Sequence, residues 1–482
     1  DRLRSRGLGD VYKRQTIYRV RIWIFQKKCP PLQTFFVRWD FNCIEKIKMI
    51  LHKKIIGTVL LASLYVAPAI AQSGTNSPYS QYGLGQLSEQ TSGFNRGMNG
   101  LGLGFREHNQ VNYINPASYS SIDSLTFIFD AGLSGQVTNF SENGQKKNAN
   151  NADFEYAVAA FRASKHLGVS FGIIPFTNIG YNYSISGYLN GDKSTTFTNT
   201  YNGSGGMHQI YLGAGWEFVK GLSIGANVSY IWGDIDRSVV NSYSDGYINT
   251  LSKYYTATIS SYRIDFGLQY TLPLNKKNSL TLGLTYGLGH KLNSDPSCMV
   301  ISTNTTTAVA DTTSFTVNNG LEIPTSFGAG LTWNNNNKLK LGADFTYQKW
   351  GDTKFPVYKV INDVPSYSLS DEYYSDRYKL TIGGEFCNNE TSRNFIDRIR
   401  FRAGASYASS YYKVNGQDGP DEISVSVGFG IPIVNAYNNR SILNISGQWV
   451  RSEAPGMLKE NTFRINIGIT FNERWFMKWK VE

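Results

Sequence analysis

Residues 462–471 read Thr-Phe-Arg-Ile-Asn-Ile-Gly-Ile-Thr-Phe and alternate between apolar side chains and polar or glycine residues. Successive side chains of a β-strand point to opposite faces, so this stretch predicts a strand with one apolar face and one polar face. Its length is about what a tilted strand needs to cross a bilayer. A half-buried strand of a soluble β-sandwich gives the same pattern, so the fold depends on how often the pattern recurs.

The alternation recurs along most of the chain after residue 123. Fourteen segments carry it, with the approximate spans 124–140, 153–164, 167–186, 208–219, 221–240, 254–272, 279–291, 315–333, 338–350, 377–387, 398–412, 422–433, 440–450 and 462–471. An even number of strands is what single-chain bacterial barrels have. Because backbone groups in lipid must be satisfied within the protein, such a sheet has to close on itself.

The connections between these segments alternate in length. The short ones are 165–166, 220, 273–278, 334–337 and 434–439, and the longer, polar ones are 140–152, 190–206, 241–253, 293–313 and 351–376. The connection 388–397 is longer than its place in this order predicts. Outer-membrane barrels combine short periplasmic turns with long extracellular loops. The sequence therefore predicts an all-β fold, a 14-stranded antiparallel transmembrane β-barrel over residues 124–471, in preference to a soluble multi-sheet protein.

The first part of the chain predicts export. Met49 opens a secretory signal with a positive start, an apolar run and the cleavage site Ala69-Ile70-Ala71. We interpret residues 49–71 as a signal peptide and residues 1–48 as upstream translation that is not native to the protein, with a cytoplasmic extension as the alternative. Behind the last strand, residues 472–482 are predicted to form a periplasmic tail.

The charge of the chain is concentrated in this leader. Residues 1–71 hold 14 of the 47 Lys and Arg and 4 of the 36 Asp and Glu, so the remainder has a net charge of +1. A nucleic-acid partner is therefore not predicted. Cys298 and Cys387 remain, too few for a disulfide framework. No Cys/His cluster indicates a metal, and no histidine has a partner at catalytic spacing, so neither an enzyme nor a cofactor is predicted.

Residues 72–123 do not alternate and are rich in Gly, Ser and Asn. They precede the first strand, so they begin on the periplasmic side, where they can fold into the barrel as a plug or hatch. Three stretches stand out in this part of the chain: Gly83-Leu84-Gly85, residues 96–100 and Asn115-Pro116-Ala117.

These stretches, together with two in the barrel, resemble the FadL-type long-chain fatty acid transporter family in its Bacteroidetes-like form. The two barrel stretches are Ile323-Pro324-Thr325-Ser326-Phe327 with the following Trp333, Asp344, Tyr347 and Trp350, and Arg400 to Tyr407 with Gly419-Pro420-Asp421. The sequence departs from the family pattern at Ile323, where leucine is usual, and at Tyr119.

The resemblance implies a monomeric channel in the outer membrane of a Gram-negative bacterium. It implies passive uptake of hydrophobic small molecules such as fatty acids, with outer-membrane lipids as the surroundings. Asn115, Pro116 and Ala117 would then lie in the hatch beside the ligand path.

The third segment contains Pro175 at its middle and Gly180 five residues later. Proline donates no ladder hydrogen bond, and a closed barrel has no edge strand to hold it, so pairing should break there through a bulge or kink. Phe176 and Asn178 lie beside this break on the parity that faces the lumen. In the resembled family an inward kink of the third strand opens the wall laterally, and this predicts a lateral exit. A simple bulge without a transport role is the alternative.

Two arginines on the lumen parity, Arg400 and Arg402, have two interpretations. Both can belong to a solvated, salt-bridged wall, or they can contact the carboxylate of a ligand. For the whole protein, two other functions stay open beside uptake. One is a secretion-associated barrel, similar to a shuttle for type IX cargo, and the other is a structural outer-membrane porin.

Overall fold

The computed structural model describes residues 74–189, 192–433 and 441–473, without the side chains of residues 192 and 193. The predicted upstream segment 1–48 and the signal peptide 49–71 lie outside the described residues. So do the predicted turn 434–439 and residues 474–482 of the predicted tail.

The described residues form strands and a few short helical turns. The strands are β1 (Gln86–Leu87), β2 (Phe127–Glu142), β3 (Gln145–Ser164), β4 (Leu167–Leu189), β5 (Asp192–Val219), β6 (Leu222–Tyr243), β7 (Thr250–Pro273), β8 (Asn278–Gly287), β9 (His290–Lys291), β10 (Ser297–Thr303), β11 (Ala310–Thr316), β12 (Glu322–Ile323), β13 (Ser326–Asn335), β14 (Leu339–Gln348), β15 (Phe355–Ile361), β16 (Val364–Ser370), β17 (Arg377–Phe386), β18 (Arg400–Ala408), β19 (Lys413–Val414), β20 (Gln417–Asp418), β21 (Asp421–Ile433), β22 (Ser441–Glu453) and β23 (Lys459–Glu473). The helical elements are α1 (Gly93–Arg96) and 3-10 turns at Pro78–Gln81, Pro116–Ser121, Trp350–Asp352 and Ile396–Arg398.

Fourteen of these strands form one closed antiparallel barrel. In order around the wall they are β2 to β8, β13, β14, β17, β18, β21, β22 and β23. The pairing of β2 with β23 closes the cylinder, with Phe129 opposite Phe471 and Leu133 opposite Ile467. The predicted all-β, 14-stranded barrel is therefore confirmed, including the place of the opening decapeptide in the last strand.

The two faces of β23 have the predicted environments. Phe463 and Ile465 are 55% and 60% exposed on the outside, whereas Asn466 on the other parity is 4% exposed. The same apolar outer face runs around the wall, which is the surface that hydrocarbon requires. The barrel is thus an outer-membrane protein. No helix in the described part of the chain is long and apolar enough to cross a membrane.

Two of the predicted extracellular loops, 140–152 and 190–206, are wrong, because strands continue through most of their residues. The turn between β2 and β3 is only Asn143-Gly144, and β5 already begins at Asp192. Both residues of the Asn143-Gly144 turn have positive φ, which the hairpin turn with matching twist requires. The extension 192–206 contains the strand-favouring residues Thr, Phe and Tyr among polar ones, whereas 141–152 is mainly Asn and Lys. No apolar row marks either of them.

The eighth barrel strand begins later than predicted. Residues 310–316 form β11, which pairs with β10 beyond the barrel, and the barrel strand β13 starts at Ser326 rather than at residue 315. The segment between them contains Pro324, which has no backbone N–H for a ladder. Similarly, β8 ends at Gly287 and β18 at Ala408, a few residues before their predicted ends.

The inside of the barrel is occupied by residues 74–123, which we call the hatch. Its apolar side chains Phe94, Met98, Leu101 and Phe105 form a small core of their own. A second apolar cluster lies toward the extracellular end, where Leu84 of the hatch packs with residues of β4 to β7 and of the loops above the wall.

Candidate functional site

The wall has a split between β3 and β4. Their pairing begins at the periplasmic end and stops at Ala157 opposite Ile173. On its other edge β4 stays paired with β5 as far as Leu189, with register shifts between Pro175 and Thr177 and between Tyr188 and Leu189. Phe176 is the extra residue of the first bulge. Thus the described backbone of β4 beyond Ile173 has no ladder with β3.

Beyond Ile173, β4 turns inward. None of the residues from Ile174 to Tyr181 is exposed, and only Asn178 is even partly accessible. The facing stretch of β5, residues 203–209, keeps exposed residues, among them Ser204 and His208, so it still presents a face to the outside. Burial on both parities means that this part of β4 no longer presents a face to lipid. The four residues predicted for a lateral opening, Pro175, Phe176, Asn178 and Gly180, all lie in this inward stretch.

Backbone groups of the inward stretch bond to the hatch instead of to β3. The N–H of Ser88 donates to the Phe176 carbonyl at 3.0 Å, and the Gln90 side chain donates to the Pro175 carbonyl at 2.7 Å. The N–H of Gly180 donates to the Ser80 hydroxyl at 3.1 Å. We call residues 74–92 the N-terminal segment. It replaces β3 as the partner of β4 across the split.

The N-terminal segment also forms a strand there. β1 pairs antiparallel with β4, with Gln86 opposite Asn178 and Leu87 opposite Thr177. The Asn178 amide then spans the split, since it donates to the Asp153 carboxylate of β3 at 3.1 Å and to the Ser88 hydroxyl at 3.3 Å. Sequence reasoning missed this role of the segment, because a two-residue strand leaves no periodic signal.

The Asn115-Pro116-Ala117 turn fastens the hatch to the wall. The Asn115 side chain accepts a hydrogen bond from the Ala117 N–H at 3.2 Å and donates to the carbonyls of Leu103 and Leu268 at 3.0 and 3.2 Å. A Cβ on Gly225 would come within 2.4 Å of Pro116, so the wall is glycine where the turn presses on it. This geometry is that of an anchor, and a place on the ligand path remains a prediction.

A buried ionic network ties the hatch to β3 at the lower edge of the split. Arg96 bonds to Glu155 at 2.8 Å and lies 3.9 Å from Glu89. Glu155 is the residue skipped in the pairing of β2 with β3, so a bulge turns its side chain inward. Burial opposes the charge of Glu89, but Lys379 and Arg96 outweigh it and lower the pKa of that carboxyl to about 2.

Arg400 and Arg402 are engaged by carboxylates of the protein. Both lie 2.8 Å from Glu385, and Arg400 also lies 2.7 Å from Glu390. Lys340 and Glu107 complete this cluster at the periplasmic end. The geometry agrees with the salt-bridged wall. A contact of these arginines with a ligand carboxylate gains no support from it, since neither residue lines the internal cavity.

An internal cavity of about 260 Å³ lies between the hatch and the wall. Leu87, Ile174 and Phe176 line it on the side of the split. Elsewhere its lining mixes apolar residues, such as Leu103, Ile323 and Trp350, with charged ones. The charged residues are Glu89, Arg263, Asp265, Asp344, Arg377, Lys379 and Glu422. Within the described residues no cluster of His, Cys, Asp and Glu has the arrangement of a metal site.

A second pocket, of about 190 Å³, lies at the extracellular end between the β15–β16 hairpin and the extended β6 and β7. Aromatic rings dominate it, among them Tyr181, Tyr255, Phe355, Tyr367 and Tyr373. Its floor is Gln81 and Gly83 of the N-terminal segment. The tyrosine-rich stretch 355–374 is a sequence feature that could have indicated this aromatic pocket. Only the fold, however, brings that stretch over β6 and β7.

Arg237 connects the aromatic pocket to the hatch. Its guanidinium donates to the Gly83 carbonyl at 2.6 Å and lies 5.9 Å from the Phe355 ring centroid. A molecule in the aromatic pocket would therefore touch the same segment that seals the split.

Comparisons with known proteins agree with this architecture. No curated protein matches the chain. The structure of the P. putida toluene transporter TodX matches with a TM-score of 0.56 and 15% identity, over 81% of this chain and 100% of that chain. A Pseudomonas aeruginosa FadL homologue gives 0.56 and 12%, over 81% and 99%. The Ralstonia pickettii toluene transporter TbuX gives 0.55 and 14%, over 79% and 98%.

At these identities the structures establish the fold, and the predicted resemblance to FadL-type barrels is confirmed at that level. The family itself follows from a sequence match, because a model of the BamG family matches residues 49–482. The chain therefore belongs to the BamG family.

Proposed function

We propose that this barrel takes up hydrophobic molecules across the outer membrane and releases them sideways between β3 and β4. The observation that carries the proposal is the level in the membrane at which β3 and β4 separate. Ala157, where β3 and β4 part, pairs with Ala131, which in turn pairs with Ile469. One step further toward the extracellular end, Leu133 and Ile467 are 56% and 48% exposed on the lipid face. The split thus begins inside the apolar band.

A passage along the barrel axis suits an apolar molecule poorly. The cavity below the N-terminal segment has seven charged residues among its lining, and the loss of water from these groups without new hydrogen bonds costs free energy. The hatch is also fastened there, since the N–H groups of Gly102 and Leu103 donate to Asp344 at 2.7 and 2.8 Å. A route past Phe176 into the bilayer avoids this polar region.

Entry is at the aromatic pocket. Its rings offer an apolar surface above the membrane, and the N-terminal segment separates it from the split. Movement of that segment would release β4 and connect the two places. The names of the structural neighbours, toluene transporters and a FadL homologue, support a hydrophobic cargo. Fatty acids are the cargo we propose to test first, with the closed single-chain barrel acting as a monomer.

A reversible cross-link across the split tests lateral release. Asp153→Cys and Asn178→Cys are combined, because the native side chains meet at 3.1 Å. Disulfide formation is verified by mass, and uptake of a fluorescent fatty acid is measured in proteoliposomes before and after reduction. We expect uptake to stop in the oxidised form and to return on reduction. Each single cysteine variant serves as the control. Wild-type uptake by the cross-linked protein would overturn the lateral route.

A structural barrel without transport is the second candidate function. The specific observation in its favour is the closure of the lumen, since the hatch bonds to the wall at Asp344, Asn227 and Asn466. This function predicts no uptake by the reduced form or by the wild type. The same proteoliposome measurement therefore separates the two candidates.

A further inference from the structure

Four successive periplasmic turns carry a row of lysines. They are Lys165 between β3 and β4, Lys220 between β5 and β6, Lys276 and Lys277 between β7 and β8, and Lys338 between β13 and β14. All five are exposed. We call this row the cationic crescent.

The turns of the crescent are joined into one rim. The Glu217 N–H donates to the His166 carbonyl at 2.9 Å, and the Thr271 N–H donates to the Gly221 carbonyl at 2.7 Å. The Asn336 N–H donates to the Lys277 carbonyl at 2.6 Å. Each turn is thus fixed beside the next, and the lysines form a continuous positive edge rather than isolated charges.

In the parts of the chain that the structure describes, no carboxylate neutralises this edge by direct contact. Within the described residues, none of the five ammonium groups has an ion pair within 4.0 Å. The nearby acidic residue Glu217 is already bound to Arg106 at 3.5 Å and to the Gly221 N–H at 2.8 Å. The next turn along the rim, between β17 and β18, is different, because Glu390 and Asp397 stand there among its arginines, and Asp397 lies near enough to Lys338 to feel its charge.

An apolar groove lies on the outer wall of the same strands. It is open to the outside, has a volume of about 900 Å³, and its lining is almost entirely apolar. One cross-strand row at its floor and walls comprises Ala214, Ala226, Phe266, Tyr286, Phe327 and Tyr347. The small Ala214 and Ala226 lie beside large rings, which makes the wall concave there. We call it the outer groove.

The distance between the outer groove and the cationic crescent matches the distance between the acyl chain and the headgroup of a lipid. Trp216 and Ile224 in the outer groove lie four residues from Lys220 along β5 and β6. At about 3.3 Å per residue this is roughly 13 Å along the strands. A molecule that fills the groove therefore has its polar end at the periplasmic interface, beside the lysines.

We infer that this side of the barrel is a binding site for an anionic glycerophospholipid of the periplasmic leaflet. One acyl chain lies in the outer groove, and the phosphate lies at the cationic crescent. Charge complementarity selects this occupant, since clusters of lysines at a membrane surface attract anionic lipids. The site lies on the outer surface, so it does not depend on any route through the lumen.

Native mass spectrometry of the delipidated, detergent-solubilised protein tests the site. The probes are dioleoyl phosphatidylglycerol and dioleoyl phosphatidylcholine, which share their chains and differ in net charge. We expect preferential retention of phosphatidylglycerol. In the variant Lys220→Gln/Lys276→Gln/Lys277→Gln its apparent affinity should fall at least tenfold, given roughly fivefold for each lysine near a membrane surface. Phosphatidylcholine retention should not change.

The matched control removes three exposed lysines from the extracellular hairpins, Lys146→Gln/Lys147→Gln/Lys359→Gln, and should behave as the wild type. Filling the groove with Ala214→Trp should lower the retention of both lipids, whereas Leu133→Trp on another part of the lipid face should not. Slower migration of the unboiled samples than wild type would reveal misfolding.

Equal retention of the two lipids by the wild type would overturn the inference. So would wild-type preference in the crescent variant. The inference would also be overturned if an acidic periplasmic protein bound the wild type but not the crescent variant while the lipid preference of both stayed the same. The lysines would then belong to a site for a protein partner.

Discussion

Two seams of the same barrel differ in how they are held. The seam between β2 and β23 runs without a register shift from Phe127–Glu473 to Ser141–Lys459. The seam between β3 and β4 ends at Ala157–Ile173, and the N-terminal segment takes over as the partner of β4. Strand length does not explain the difference, because β4 is longer than β23. The difference teaches that a barrel wall can part where a proline weakens one ladder and another backbone offers replacement bonds.

The largest effect is expected from a proline placed in the continuous seam between β2 and β23. Ile467 pairs with Leu133 on one side and Ile445 on the other, so Ile467→Pro removes a ladder donor where no hatch residue replaces it. We expect no assembled barrel, because proline removes a ladder hydrogen bond and is found essentially only on edge strands or at bulges. The readout is the faster migration of the unboiled protein on a gel. Ile467→Val is the control and should assemble, and a normally folded proline variant would contradict the comparison.

The network beside the split is expected to have the next largest effect. Arg96→Met leaves Glu155 buried without its cation and removes one of the cations beside Glu89. Removing one partner of a buried ion pair costs about 3–5 kcal/mol, so the urea midpoint of unfolding should fall strongly. Arg96→Met combined with Glu155→Gln should recover much of the loss, because the uncompensated charge is gone. Equal midpoints for the single and double variants would contradict this.

The replacement bonds across the split predict a local effect. Ser80→Ala with Gln90→Ala removes an acceptor for Gly180 N–H and a donor to the Pro175 carbonyl. Each hydrogen bond contributes about 1 kcal/mol. Hydrogen exchange measured by mass spectrometry should therefore accelerate several-fold in peptides covering residues 175–181. Exchange in β2 and β23 should stay at wild-type rates, and faster exchange throughout the barrel would show a global effect instead.

The smallest effect concerns the periplasmic end of the hatch. The hydrogen bond from His108 to Asp123, at 3.1 Å, raises the pKa of His108, with Glu107 and Glu390 adding to it against the effect of burial. A raised folded-state pKa contributes stability at low pH that is lost as pH rises through that pKa. Because the ring is partly exposed, we expect less than about 1 kcal/mol.

The measurement is the urea midpoint at pH 5.5 and pH 8. The wild type should lose more stability than His108→Gln as pH rises, and His166→Gln in a neighbouring turn is the control. Identical pH dependence in wild type and His108→Gln would contradict the assignment.

The strands within the bilayer could be predicted because lipid imposes a readable constraint. Residues facing hydrocarbon must be apolar and those facing the lumen need not be, so β23 and its neighbours alternate. Above the membrane both faces of a strand are polar, and the predicted loops 140–152 and 190–206 were in fact strands. The Asn143-Gly144 pair was the available signal for the first of these hairpins.

The candidate site could be predicted only in part. Pro175 indicated that one ladder would break, because its missing N–H is a property of the residue itself. The partners across the split could not be predicted, since Gln90 and Ser80 reach β4 from nearly a hundred residues away in sequence. The same holds for Arg400 and Arg402. Their ion pairs with Glu385 depend on the register between β17 and β18, which the sequence does not give.

By itself, the sequence determined the fold class, the closing seam and the position of the weak point, because alternation and proline act through local backbone geometry. Only the tertiary structure decided how the weak point is sealed, which carboxylates neutralise the buried arginines, and that five lysines from four turns form one edge. Those features depend on groups that meet across the barrel, and hydrogen bonds and charges act over distances in space that the order of residues does not record.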